Sequence, residues 1–362
     1  MYKILYVVST LAPSGPTNQL FNLIKFLDRS KFEPHLITLS PEPADSRWSD
    51  YEKLGIQLYS LKLSRMSGLL FGKKKLKKLI QDIQPNLIHT QGIRADGLLA
   101  SMKLDIPWVM TSRNFPADDY PTKFGAIKGA LMVRQHLFAM KQCHHLVTCS
   151  KTIQKKLKQV GVEGTAIQNG VRQLQGDASA VDLYADLPRP IYISVGSLIP
   201  RKNMALLIDA FEKLPSNSKG SLVILGDGPL LDDLRKVASK NVHLVGNVAN
   251  VPDYLAGADY FVSSSLSEGL PNTVLEALAM GLPCILSDIE SHQEITDECP
   301  EACSTFSLDG GVPALTEALA NAPRNFDDNS RAEAVRVAQD VFSAEGMSQR
   351  YQQFYLNILE AQ

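Results

Sequence analysis

Two glutamates, Glu268 and Glu276, sit in Ser267-Glu-Gly-Leu-Pro-Asn-Thr-Val-Leu-Glu276 and carry the first chemistry of this chain. A carboxylate accepts two hydrogen bonds at once, so each can hold a sugar diol. Gly269, between them, lets backbone approach a ligand closely. Pro271 suits the first position of a helix, where its missing N–H costs nothing. The free N–H groups behind it favour an anion in the loop. A second patch is Pro200-Arg201-Lys202-Asn203. Two cations in a loop at a helix start suit a diphosphate leaving group, which gains negative charge as a sugar bond breaks. Each patch also has a plainer reading: a tight turn with a solvated glutamate on either side, and a solvated basic turn.

The surrounding elements place these residues. Asp259 to Ser265 is rich in strand formers, and Val274, Leu275, Leu278 and Ala279 recur at helical spacing until Gly281. Pro283 to Ser287 reads as a further buried strand, so the glutamate loop joins strand to helix in a βαβ unit. Similar apolar runs start at Lys3, His35, Ile56, Asn86, Pro107 and His145, and again at Ile191, Leu222 and Val242. Continuous apolar runs alternating with helical patterns predict parallel sheets covered on both faces. Helices are expected after Gln19 and over 73–83, 124–141, 151–160 and 205–214, with two patterns in 313–340 and a last helix over 343–359. Residues 172–188 are polar and read as linker.

Composition agrees with two ordinary domains: 362 residues, 44% hydrophobic and 21% charged. The five cysteines show no metal-type pairing and read as free thiols of a reducing cytoplasm. No apolar run is long enough to span a bilayer, and the start of the chain reads as a first strand rather than a signal peptide. Net charge is −1, but residues 1–171 hold 24 Lys+Arg against 12 Asp+Glu, so the first half is strongly basic and the second acidic. A basic half invites an anionic surface. In 73–83, Leu76, Leu79, Ile80 and Ile83 form a core stripe and five lysines face away. With Leu69, Leu70 and Phe71 upstream, that helix fits either a solvated face or membrane docking. The pattern of 124–141, with Ile127, Leu131, Leu137 and Phe138, reads as a core helix. No nucleic-acid recognition module is present.

The glutamate stretch resembles the Glu-x7-Glu motif of retaining glycosyltransferases of the GT-B fold, most closely family GT4. Ser-Glu-Gly-Leu-Pro at 267–271 and Glu-Ala-Leu-Ala-Met-Gly-Leu-Pro at 276–283 extend the likeness. The resemblance implies an α/β chain of two Rossmann-like, doubly wound domains facing a central cleft. Residues 1–171 would bind the acceptor, 172–190 would link, 191–342 would bind a nucleotide-sugar, and helix 343–362 would pack back on the first domain.

By resemblance, Glu276 binds the ribose diol and Glu268 the transferred sugar. Gly269, Leu270, Pro271, Asn272 and Thr273 line sugar and phosphate, and Asn247 and Val248 face the base. Arg201 and Lys202, with Gly196 beneath them, stabilise the leaving diphosphate, so no metal and no cofactor is expected. Gly15, in Ser14-Gly15-Pro16, corresponds in part to a glycine loop facing the diphosphate. His89 stands at a strand end where the family has a histidine. Many members have Thr-x-His where this chain has Thr111-Ser-Arg113, so Arg113 and Asn114 become phosphate or acceptor candidates instead. Asp118 to Pro121 is a further acceptor candidate.

The implied reaction moves a sugar from a nucleoside diphosphate sugar, UDP favoured over GDP, to a lipid-linked or polysaccharide acceptor with retention. Catalytic weight falls on Arg201, Lys202 and Glu268. The enzyme would be cytoplasmic and peripheral on the anionic inner membrane face. A 2-epimerase of the same fold and a membrane-associated scaffold are the alternatives.

Overall fold

The apolar runs of the first half pair in parallel, as their double-sided hydrophobicity requires. In the computed structural model, which describes residues 1–215 and 219–361, they are β1 (Tyr2–Val8), β2 (Phe32–Thr38), β3 (Gln57–Ser60), β4 (Leu87–Gln91), β5 (Trp108–Ser112), β6 (His145–Thr148) and β7 (Thr165–Ala166). Their order is β3-β2-β1-β4-β5-β6-β7. A second parallel sheet holds β8 (Ile191–Val195), β9 (Ser221–Leu225), β10 (Val242–Gly246), β11 (Tyr260–Ser263), β12 (Cys284–Ser287) and β13 (Cys303–Phe306), ordered β10-β9-β8-β11-β12-β13. The expected α/β architecture, two Rossmann-like sheets, is what the chain forms. β7 is too short, and β13, Cys303-Ser-Thr-Phe306, too polar at its centre, to stand out in the sequence.

The residues of β1 show why its run is unbroken. Ile4, Tyr6 and Val8 pack into one apolar cluster and Leu5 and Val7 into another on the opposite face. Period-two alternation feeds both layers. β8 does the same: Ile191 and Ile193 enter one cluster and Tyr192 the other. Each sheet reverses its strand order once, between β1 and β4 and between β8 and β11. Ligands of such sheets bind at the carboxyl ends flanking that reversal.

The chain divides into two units, Met1–Gly170 with Ala344–Gln362, and Val171–Ser343. The helix Ala344–Leu359 belongs to the first unit because Met347, Tyr351, Tyr355 and Ile358 bury there beside β1. The Ser348 hydroxyl donates to the Leu23 carbonyl at 2.8 Å. Residues 172–190, expected as linker, include two short 3-10 turns within the second unit.

Two helices depart from expectation. The lysine-rich helix starts at Arg65 rather than Lys73, because Ser64 caps the Ser67 N–H at 3.1 Å. Leu76, Ile80 and Ile83 are buried and the five lysines exposed, as read; the side chain of Leu69 lies outside the described residues. The segment 124–141 is a larger correction. It breaks at Gly125 (φ 81°) between helices Pro116–Phe124 and Ala126–Lys141. Ile127, Leu131 and Phe138, expected in the core, are 90%, 67% and 66% exposed. The reason is Gly129: a Cβ there would stand 2.5 Å from the Pro121 Cα, so the glycine face turns inward and the apolar stripe outward.

Candidate active site

The second unit gathers most of the expected donor residues at its strand reversal. The basic turn Pro200–Lys202 follows β8, and Glu268 lies in the loop after β11. Backbone and hydroxyl bonds fasten the two together. The Leu266 N–H donates to the Arg201 carbonyl at 2.8 Å, and the Ser264 hydroxyl donates to the Lys202 and Asn203 carbonyls at 3.1 and 2.9 Å. Asn203, left-handed at φ 53°, turns the chain into the helix Met204–Glu212. Gly196 is needed below: a Cβ there would meet the Lys202 side chain at 3.0 Å.

Glu268 is the centre of a nearly dry ion cluster. Arg201 Nη1 donates to its Oε2 at 2.7 Å and Lys202 Nζ to its Oε1 at 2.7 Å. The Ser265 hydroxyl adds 2.9 Å to Oε1, and Arg201 also donates to the Ser267 carbonyl. The three charged side chains are 9%, 17% and 14% exposed for Glu268, Arg201 and Lys202. Burial alone would raise the Glu268 carboxyl, but Lys202 and Arg201 more than offset it and hold it at about 2. The cluster is therefore ionised and carries a net single positive charge. Arg201 Nε is buried with no hydrogen-bond partner. Below the loop, buried His292 donates from Nδ1 to the Ser287 carbonyl at 2.9 Å, while the Ser287 hydroxyl donates to the Ser265 carbonyl at 2.6 Å. Burial pushes the His292 imidazole down to about 4, so it braces the loop as a neutral ring.

Glu276 differs from Glu268 in every respect. It lies on the helix Asn272–Ala279, partly exposed, and its carboxylate makes no hydrogen bond or ion pair among the described residues. Desolvation pushes it up to about 7, against the lowering fields of Arg172 and Lys202. Pro271 corrects one expectation: it occupies the N-cap in extended conformation, and Asn272 is the first helical residue. Leu270 is buried in the core, while Asn272 and Thr273 stay half-buried in the first helical turn. Asn247 is exposed after β10, and Val248 packs partly on the core beside it.

The remaining candidates, Gly15, His89, Arg113 and Asn114, belong to the first unit. Gly15 is not a loop glycine but the first residue of helix Gly15–Lys25, behind a Ser14–Thr17 capping box. His89 is a core residue. It is fully buried, with Nδ1 on Tyr355 Oη at 2.6 Å and Nε2 on Thr111 Oγ1 at 2.7 Å. Burial lowers it to about 3, so it stays neutral and has no nitrogen left for a ligand. Asp118 and Asp119 are spent in ion pairs with Lys156 and Lys123, both at 2.8 Å. Arg113, Asn114, Ser14 and Tyr120 instead line one cavity of about 300 Å³. Gln91 and His136 also line it; neither stood out in the sequence, because an amide and a lone histidine on a helix carry no spacing signal.

Two family models cover this layout. "Glycosyltransferase Family 4" matches residues 13–172 and "Glycosyl transferases group 1" matches residues 189–322. The putative teichuronic acid biosynthesis glycosyltransferase TuaC of Bacillus subtilis is 30% identical over 58% of this chain and 54% of its own length. The chain thus aligns with little more than half of that relative. An Escherichia coli UDP-Gal:alpha-D-GlcNAc-diphosphoundecaprenol alpha-1,3-galactosyltransferase is 27% identical over 80% of both chains. Among solved structures, Anabaena HepE in complex with UDP and glucose superposes with a TM-score of 0.80 at 16% identity, covering 99% of this chain and 100% of its own.

Proposed function

The chain belongs to the group 1, family GT4 glycosyltransferases, and from that premise we propose that it transfers a sugar from a nucleoside diphosphate sugar, with retention and without a metal ion, to a lipid-linked acceptor in cell-surface glycan biosynthesis. The observation that carries this is the Arg201–Lys202–Glu268 cluster beside the unpartnered Glu276. The two cations are preorganised where leaving-group charge develops, and fixed dipoles and charges of this kind need no reorganisation during the reaction. Glu268, held at about 2, is an anion at neutral pH. It keeps the two cations together and in place for the diphosphate. Glu276, when ionised, has both oxygens available for a ribose diol. UDP is the favoured carrier, in line with the UDP named for the E. coli relative and for HepE.

The acceptor class rests on the relatives' printed substrates and on the surface of the first unit. Ile127, Leu131 and Phe138 are exposed on one helix and Phe124 at the end of the helix before it, with Lys123, Lys128 and Lys141 around them. An apolar stripe ringed by cations suits an anionic lipid surface. No helix among the described residues is long and apolar enough to cross a membrane.

The deciding experiment is thermal shift with UDP-, GDP- and ADP-sugars on wild type and Glu276→Ala, followed by product analysis with and without acceptor. Stabilisation by one nucleotide that the variant loses, then transfer with retained anomeric configuration after metal removal, is the expected result. Sugar epimerised without acceptor would replace the reading with an epimerase, and no nucleotide binding at all would replace it with a scaffold.

A further inference from the structure

The cavity at the carboxyl ends of β1, β4 and β5 has an unusual charge balance. Among the described residues no carboxylate lines it, yet Arg113 does. That guanidinium is held by neutral amides: Nε donates to Gln91 Oε1 at 3.2 Å and Nη1 to Asn169 Oδ1 at 2.6 Å. Its Nη2 is buried with no hydrogen-bond partner. Gln91 is only 7% exposed. Because its Oε1 faces Arg113, the other end is Nε2, and this too is buried without a partner. Buried donors left unpaired are costly, each by about 1–3 kcal/mol and more when charged. Two of them together, one on a permanent cation, mark a place built for an anion.

The rest of the lining agrees. Gly92 and Ile93 begin the helix Ile93–Ala100, which has no side-chain cap, so its positive end adds to the field. On another part of the lining, the Tyr120 hydroxyl pairs with His136 Nδ1 at 2.7 Å and His136 Nε2 with Asp96 Oδ2 at 2.9 Å. Asp96 is fully buried and also accepts from the Thr90 hydroxyl at 2.5 Å, so its charge is spent behind the wall. With Asp96 taking the Nε2 proton, Nδ1 takes the Tyr120 proton, and Tyr120 is left as an acceptor for a ligand hydroxyl.

We propose that this cavity binds the phosphate of a phosphorylated acceptor, with the anion on Arg113 and Gln91 and an adjacent hydroxyl on Tyr120. The inference rests on the glycosyl-transfer reading for the word acceptor, but the anion site itself does not. Arg113 and Gln91 are binding residues for that phosphate and take no part in breaking the sugar bond.

The test is calorimetric titration of the full chain with inorganic phosphate and methyl phosphate, in wild type, Arg113→Gln, Gln91→Leu and Lys202→Ala. Saturable binding is expected, weakened roughly ten- to a hundredfold by Arg113→Gln and about tenfold by Gln91→Leu. Lys202→Ala, on the donor cluster, weakens UDP and keeps the phosphate site that Arg113→Gln loses. Wild-type affinity in both Arg113→Gln and Gln91→Leu, loss only in Lys202→Ala, or no saturable binding to wild type overturns the proposal. If Arg113→Gln does not fold, Gln91→Leu decides alone, since it removes a neutral group. Phosphate binding that depends on Arg113 in a protein that transfers no sugar would leave the site standing and remove the acceptor reading. Sugar transfer to a phosphorylated acceptor with the same KM in Arg113→Gln would do the reverse.

Discussion

The two sheets reverse their strand order in the same way, yet the charges at the two reversals are balanced oppositely. Between β8 and β11 two adjacent cations share a carboxylate within 2.7 Å of each. Between β1 and β4 a single guanidinium meets only amides. The difference follows from the number of charges. Arg201 and Lys202 are neighbours in sequence, and two like charges this close in a partly dry site repel strongly unless an anion stands between them. Arg113 stands between Ser112 and Asn114, with no adjacent cation to be separated from, and the amides satisfy its donors in part. One reversal is therefore a finished clamp whose carboxylate offsets one of its two cations. The other is an unfinished one that a ligand completes.

The comparison breaks most sharply at the clamp. Lys202→Ala should lower kcat roughly a hundred- to a thousandfold, while Arg113→Gln should leave UDP affinity unchanged; equal effects on the nucleotide would erase the distinction between the two poles. Glu268→Gln should cost about 3 kcal/mol of stability in chemical denaturation, because it strands two buried cations. Its pH dependence has a definite sign. The Glu268 carboxyl is held near 2, below its unfolded value, so its ion pairs contribute fully above the ordinary glutamate range and are lost as pH falls toward 2.

His89 tests whether the first unit's histidine is scaffold. His89→Ala should lower stability by about 2–4 kcal/mol through lost packing and the loss of its hydrogen bonds to Tyr355 and Thr111. UDP affinity measured on the folded fraction should not move. Glu276 comes next. Its carboxyl is raised to about 7, so the stability it contributes as a neutral acid is lost as pH rises from about 4.3 toward 7. Glu276→Gln should therefore be more stable than wild type at pH 8 and equal to it at pH 4. The same variant should weaken donor binding about tenfold at pH 8 and abolish the rise in donor affinity expected of wild type between pH 6 and 8. A pH-independent wild type would mean that Glu276 does not hold the diol as an anion. The smallest effect on the fold is at the surface: Ile127→Asp with Leu131→Asp should change stability by no more than about 0.5 kcal/mol per site. The double variant should nonetheless lose flotation with anionic vesicles.

Much of the donor pole was legible because its residues lie in short windows. Glu268, Gly269, Pro271 and Glu276 share one strand–loop–helix, and Arg201 and Lys202 one turn. Spacing within such a window survives folding almost unchanged. What spacing could not say is that Glu268 ends up on the two cations, 66 or 67 residues away. The first unit was read less well. His89 looked like a ligand group from its strand end, but Tyr355 and Thr111 claim both nitrogens, and Tyr355 arrives from 266 residues further along. The stripe of 124–141 looked like core because periodicity reports that one face is apolar, not which face a neighbour covers. That was decided by Gly129 meeting Pro121.

The sequence by itself determined the sheets, the alternation of strand and helix, the position of the donor loop and the basic turn, and the imbalance of charge between halves. All of these depend on local period and composition, which backbone geometry translates directly into elements. Which polar groups are spent and which are spare was settled by long-range packing. Glu268 is spent on Arg201 and Lys202, Asp96 on His136, and His89 on two hydroxyls, whereas Glu276, Arg113 Nη2 and Gln91 Nε2 are spare. The physical reason is that pairing depends on distances of about 3 Å between side chains from distant parts of the chain, and no local pattern encodes those.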